Sequence, residues 1–218
     1  MKIFVDLCCG LGGASEAFQQ DPDWLVIRLD NNEDLKPLVP GLNVADVTNV
    51  PATLNLIEAV CRIHGTSVQT CDKLVVWASP PCDEFSLAYN AIMPTAKRLG
   101  EEFSPSLQLL RSCLDLIENL NPDYWYVENV RGAINYFREE IGQDWKQQVG
   151  SFFLWGFHPM IDFDDNQTRH VKKLDIRHSD MRAQLRAKVP FEISKAIRDS
   201  IDKQRTLTFY GVGVEQDA

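Results

Sequence analysis

Two hydrophobic rhythms alternate along the chain. Short continuous apolar runs, IFVDL, WLVIRLD, LNVADV, KLVVWA and YWYVENV, are rich in β-branched and aromatic residues and read as buried strands. Between them apolar positions recur at helical spacing, in ASEAFQQ and in PATLNLIEAVCRIHG, which Pro51 opens and Gly65 closes. SPSLQLLRSCLDLIENLNP puts Leu107, Leu110, Leu114 and Ile117 on one face, with Ser104 as the expected cap and Pro122 as the stop. AINYFREEIGQDWKQQVG reads as a further helix. This alternation predicts an α/β fold, a mostly parallel sheet with helices on both faces.

The last third is less regular. SFFLWGF and HPMIDF fit a hairpin, DDNQTRHVKKLDIRHSDMRAQLR is polar and irregular, and PFEISKAIRDSID is helical ahead of a final TLTFYGVGV. No repeat or linker divides the chain, so a single domain over residues 1–218 is expected.

Composition narrows the class. The 218 residues are 44% hydrophobic and 24% charged, as in a soluble globular domain. No run of about 18 apolar residues occurs, and MKIFVDLCCGLGG lacks the plan of a signal peptide. A cytoplasmic protein with no membrane partner is expected. The six cysteines show no paired CxxC spacing, so no metal site is expected and most should be small buried hydrophobes. The net charge of -9 disfavours indiscriminate attachment to nucleic acid. Local cations remain: Lys97, Arg98, Arg169, Lys172, Lys173, Arg177, Arg182, Arg186 and Lys188 are either a clustered binding face or scattered solvated charges.

In open parallel sheets ligands bind beyond the carboxyl ends of the strands. Asp6 closes the first strand, followed by CCGLGG with glycines at 10, 12 and 13. Such a turn lets backbone approach a ligand and presents helix N-terminal amides, although a simple tight turn has the same composition. Asp30 ends the second strand, where an acid accepts from two ribose hydroxyls or merely caps and solvates the strand end. Asp46 follows the third, placed to reach an adenine amino group or to form an Asx turn. The three together favour an adenosine-containing ligand.

The fourth strand delivers SPPCDEFS. A thiol is an intrinsically good nucleophile, and a loop stiffened by Pro80 and Pro81 can fix Cys82 against a substrate. The fifth delivers Glu128 out of an aromatic, apolar run, the setting that raises a carboxyl pKa and makes a proton donor near neutrality; the rival reading is that Glu128 and Asn129 satisfy backbone groups.

In this order the residues resemble the S-adenosylmethionine-dependent cytosine-5 DNA methyltransferases, over roughly residues 1–135. The resemblance implies a Rossmann-like methyltransferase fold and S-adenosylmethionine as cofactor. It implies that DLCCGLGG, through Asp6, Leu7, Cys8, Gly10, Gly12 and Gly13, forms the cofactor loop, aided by Asp30 with Asn31, Asp46 with Val47, and Pro80. It makes Cys82 the nucleophile that adds to carbon 6 of cytosine and Glu128 the group on ring nitrogen 3, with Pro81, Ser86 and Asn129 on the substrate side. A flipped base in DNA is the implied substrate.

Further on the match thins. QTRHV supplies Gln167 and a catalytic Arg169, but Val171 stands in place of a second arginine. RAKVPFEISKAI keeps Val189 on the cofactor side and Pro190, with Arg186 and Ala187 in place of Gly-Asn; Arg186 and Lys188 are candidate phosphate contacts. Asp83-Glu84 replaces the usual glutamine after the nucleophile. Fewer than about twenty residues separate the basic motif from KVP, too few for a target-recognition domain. Recognition by short loops or a protein partner is therefore expected, or the same chemistry on RNA or a free nucleotide, or a silent binding relative. The compactness hints at a phage or mobile-element enzyme working in the host cytoplasm.

Overall fold

The computed structural model describes residues 1–164 and 182–209. Its strands are β1 (Lys2–Leu7), β2 (Trp24–Asp30), β3 (Leu42–Val44), β4 (Lys73–Ala78), β5 (Tyr124–Asn129), β6 (Gln147–Val149) and β7 (Phe152–Trp155). They form one sheet in the order β3-β2-β1-β4-β5-β7-β6, in which β7 runs antiparallel to both β5 and β6 and the other pairs are parallel. This is the Rossmann-like arrangement of the methyltransferase fold; the sequence pattern predicts its mostly parallel α/β sheet, and the resemblance implies the methyltransferase variant.

The alternation of side chains along buried strands builds two cores. Ile3, Val5, Leu7, Val76, Ala78 and Val127 face α2 (Val50–Ile63) and α4 (Gln108–Leu120), whose Ile57, Cys61, Leu110, Cys113 and Leu116 are buried. On the opposite face Phe4, Trp24, Val75, Trp77 and Tyr126 pack against Phe18 of the single-turn α1 (Glu16–Gln19) and against Ile193, Ile197 and Ile201 of α7 (Phe191–Phe209). Each such aliphatic side chain contributes roughly 1.5–3 kcal/mol when fully buried. Ahead of α7 lies the short α6 (Arg182–Ala187). No helix among the described residues is long and apolar enough to cross a membrane.

Several boundaries differ from expectation. Helix α4 begins at Gln108, and Ser104 does not cap it: the following Pro105 disfavours helical backbone at 104, and Glu84 instead accepts from the Ser106 amide at 2.6 Å. Helix α3 (Ile92–Leu99) has no counterpart in the sequence expectations, because Pro94 interrupts the pattern; it falls in the first turn, where its missing amide is not needed. The helix expected over 133–150 stops early. A 3₁₀ turn at Arg131–Ala133 leads into α5 (Ile134–Ile141), Gly142 at φ 76° ends it, and Gln147–Val149 is an edge strand.

The hairpin pairs β7 with β6, not with HPMIDF. That segment is held instead by the Gln147 side chain, whose Nε2 donates to Ile161 O at 2.7 Å and whose Oε1 accepts from Ile161 N at 2.8 Å. Of TLTFYGVGV, Thr206–Phe209 continue α7, and the rest lies outside the described residues.

Candidate active site

The order of the sheet reverses between β1 and β4, because the chain winds outward through β2 and β3 and returns through α2. In open parallel sheets the ligand crevice lies at the carboxyl ends of the two strands where the order reverses. Their register sets Leu7 beside Ala78, and Ser79 N donates to Leu7 O at 3.1 Å, so the glycine loop and the nucleophile loop leave the sheet side by side.

Beneath the glycine loop lies a polar seam. Asp6 is directly across from Arg28 in the strand register, and both are buried. Arg28 donates from Nε to Ser15 Oγ at 2.8 Å and from a terminal nitrogen to Pro40 O at 3.0 Å, which compensates much of the cost of burying a guanidinium. Among the described residues no donor meets either Asp6 oxygen in good hydrogen-bond geometry, although Ser15 lies near enough to pull on the carboxyl. Burial pushes its pKa up to about 6, against the pull of Ser15 and of the Arg28 charge. Arg28 is a site residue the sequence reading passed over, although a charge inside the apolar run WLVIRLD was its signal.

The loop itself turns through Cys8, Gly10 and Gly12 at φ 55°, 50° and 67°. Asp30 fastens it: one carboxylate oxygen accepts from Gly10 N and the other from Asn32 N, both at 2.9 Å. A carboxylate has about four acceptor positions, so two remain for a ligand. Asp46 is exposed and forms an Asx turn, with Oδ1 accepting from Thr48 N at 2.9 Å and Thr48 Oγ1 at 2.7 Å; these bonds hold its carboxyl below the usual range. Val47 is buried in the core.

The far end of the chain closes on this loop. A Cβ on Gly13 would lie 2.3 Å from Val189 O, so only glycine allows the segment ahead of α7 to pass. Ser194 completes the junction by accepting from Ala17 N at 3.0 Å and donating to Ala14 O at 2.6 Å. Lys188 pairs with Glu16 at 2.7 Å across the same junction.

Beyond β4, Pro80 is buried, Pro81 exposed and Cys82 half-buried with a free thiol. Glu128 lies inside β5 rather than past its end. Burial raises its pKa to about 7, while Ser79 opposes the rise by donating to the carboxylate; Ser79 in turn accepts from Trp77 Nε1 at 2.6 Å. Burial first, and then the charges of Glu128 and Asp83, push the Cys82 thiol up to about 11. Asn129 is bonded at both ends of its amide: Nδ2 donates to Pro80 O and Oδ1 accepts from Val130 N, each at 2.9 Å. A cavity of about 270 Å³ opens beside this loop, between Pro80, Pro81 and Glu84 on one side and Ile92, Leu109 and Phe137 on the other. Ser86 is half-buried on the same loop. Gln167 and Arg169 lie outside the described residues.

A doubly wound sheet with a glycine loop after β1, an acid after β2 and a cysteine loop after β4 thus defines a protein of the Rossmann-like methyltransferase fold. No protein-family model matches the chain, and no curated protein matches it. Among solved structures it is similar to the methyltransferase EhMeth of Entamoeba histolytica, at 16% identity and a TM-score of 0.46 over 75% of this chain and 55% of that one. It is also similar to an E. coli protein assigned as a DNA modification methyltransferase encoded within a prophage, at 16% identity and a TM-score of 0.41 over 76% and 50%. The chain therefore spans about half the length of these structures.

Proposed function

We propose that the protein transfers a methyl group from S-adenosylmethionine to carbon 5 of cytosine in DNA, through a covalent adduct on Cys82. The observation that carries this reading is that Asn129, next to the buried Glu128, bonds Pro80 O at 2.9 Å and so ties the proline-stiffened loop of Cys82 to the strand bearing a carboxyl whose pKa burial raises to about 7.

The residues around the first strand fit the cofactor. Asp6 offers buried acceptors that Ser15 satisfies only poorly, and Asp30 has acceptor positions to spare, which suits a ligand carrying an amino group and ribose hydroxyls. Asp6, Leu7, Cys8, Gly10, Gly12, Gly13, Asp30, Asn31, Asp46, Val47, Pro80 and Val189 would hold it, and when bound it supplies an electrophilic methyl.

The chain's own residues then prepare the acceptor. Glu128, half-protonated near pH 7, donates a hydrogen bond to ring nitrogen 3 and draws electron density from carbon 6. The same proton cancels one of the charges that oppose ionisation of Cys82, and the thiol proton would pass to solvent as the sulfur attacks. The thiolate would bond to carbon 6 as the electron pair of the ring double bond shifts to carbon 5, which would take the methyl from the sulfonium and leave the cofactor as a neutral thioether; a solvent base would then take the carbon-5 proton, and that pair would re-form the double bond as the carbon 6–sulfur bond breaks and releases the thiolate. Pro81, Ser86 and Gln167 would line the base, with Arg169 assisting.

Two further readings stay in view. The chain carries -9 net charge and few residues where a recognition domain would stand, which favours RNA or a free nucleotide as acceptor. A silent binding relative has no chemical need for Cys82 beside Glu128. Labelled methyl transfer to DNA, RNA and dCMP in one assay ranks the acceptors. A covalent adduct with a 5-fluorocytosine substrate, absent in Cys82→Ser, is the expected result; no transfer to any acceptor refutes the proposal.

A further inference from the structure

The segment that follows the nucleophile is unusually apolar for a surface. Of the large apolar side chains exposed among the described residues, Leu87, Tyr89, Ile92 and Leu99 are 59%, 74%, 48% and 67% accessible and fall within one short stretch of chain. Single exposed apolar residues need no explanation, but four in one short segment after the Cys82 loop do.

Tyr89 is also prearranged. The Arg98 guanidinium lies over its ring, 4.0 Å from the centroid. It is held there by bonds to Tyr89 O at 2.6 Å and Thr95 Oγ1 at 3.1 Å. An aromatic ring with a cation fixed on one face and solvent on the other is the unit with which single-strand binders stack a base, the cation serving the adjacent phosphate. Lys97 adds a second exposed cation on the same helical turn.

We propose that Tyr89, backed by Arg98, is a stacking platform for an unpaired base next to the target cytosine, and that it gives this chain its preference for single-stranded or locally opened DNA. The proposal rests on the cytosine reading for the identity of the neighbouring target, but stacking itself is read by binding alone. The platform replaces base-edge reading with stacking, which tolerates any sequence. Its neighbours Asp83, Glu101 and Glu102 are acidic, so binding depends on the aromatic face more than on bulk charge.

The test is fluorescence anisotropy of a labelled cytosine-containing 12-nucleotide single strand, its fully paired duplex and the ribo-oligonucleotide of the same sequence, with wild type, Tyr89→Ala and Tyr89→Trp. Because Tyr89 is exposed, both variants should melt as the wild type does. Tyr89→Ala is expected to weaken single-strand binding by roughly 5- to 100-fold while Tyr89→Trp retains it, and the duplex should bind more weakly than the single strand and be little changed. Stacking is indifferent to the sugar, so the ribo-oligonucleotide should show the same Tyr89 dependence. Equal binding by Tyr89→Ala, tighter binding of the duplex, no binding of any oligonucleotide, or self-association that Tyr89→Ala abolishes would each overturn the proposal. A Tyr89-dependent single-strand affinity in a protein that transfers no methyl group would uphold the platform and refute the proposed chemistry.

Discussion

Asn129 ties the exit of β5 to the exit of β4: its Nδ2 donates to Pro80 O at 2.9 Å while its Oδ1 accepts from Val130 N at 2.9 Å. The loop bearing Cys82 is therefore anchored two residues before the thiol by the residue that follows Glu128. Thiol and carboxyl are set relative to each other by one buried amide, which gives Asn129 a positioning role.

Asn129→Ala should leave the Pro80 carbonyl unpaired in the interior, at a cost of about 1–3 kcal/mol. In a chain of this size that lowers the melting temperature by several degrees. Methyl transfer measured well below the melting temperature should fall further than the stability loss accounts for, since the thiol loses its reference point. A variant with wild-type melting and wild-type turnover would show that the loop is held by something else.

Cys82 should be a sluggish thiol in the resting protein. With its pKa pushed up to about 11, alkylation by iodoacetamide followed by peptide mass should be slow at pH 7.5 and still accelerating at pH 9. Asp83→Asn and Glu128→Gln each remove a negative charge that opposes the thiolate, so both should speed the reaction. A rate that levels off below pH 8 would contradict this electrostatic picture.

Glu128 also links stability to pH. Its pKa is about 7 in the folded protein against an ordinary 4.5, and that of Asp6 is about 6 against 3.8, so the folded chain holds protons that the unfolded chain has released. Their stabilising share is complete below about pH 4 and is lost as pH rises to about 7. His158, held down to about 4 chiefly by burial, acts in the opposite sense between about 4 and 6.5. The difference between variants is therefore the readout: Glu128→Gln should gain melting temperature relative to wild type as pH rises from 5 to 8. A difference that stays flat would mean that Glu128 is not buried as described.

Much of this site was legible because buried parallel strands announce themselves. IFVDL, WLVIRLD, KLVVWA and YWYVENV are continuous apolar runs, and the residues just past or at their ends are those that line the crevice. What escaped was fixed by tertiary contact. Strand β6 is Gln147–Val149, polar except for its last residue, and exists because it pairs with β7. Glu84 read as unexplained acid beside the nucleophile, yet its carboxylate accepts from Ser106 N across 22 positions of sequence. Asp46 shows a third case: the Asx turn it forms uses Oδ1 alone, so the turn does not remove the ligand contact expected of it.

The junction of the glycine loop with the chain's far end separates two kinds of glycine. Gly13 has ordinary backbone but no room, since a Cβ would meet Val189 O at 2.3 Å and Val189 N at 2.7 Å. Backbone cannot swing aside as a side-chain tip can, so Gly13→Ala must displace the segment ahead of α7 and loosen the Ser194 bonds to Ala17 and Ala14. Gly10 has room on every side but sits at φ 50°, where an added Cβ costs roughly 1–2 kcal/mol per residue and no packing. Gly10→Ala should therefore melt only a few degrees low and keep its far-end packing. Gly13→Ala should lose more stability and show faster amide exchange at Ile193 and Ser194. If the two variants melt alike, the packing of Val189 on the loop is not what Gly13 provides.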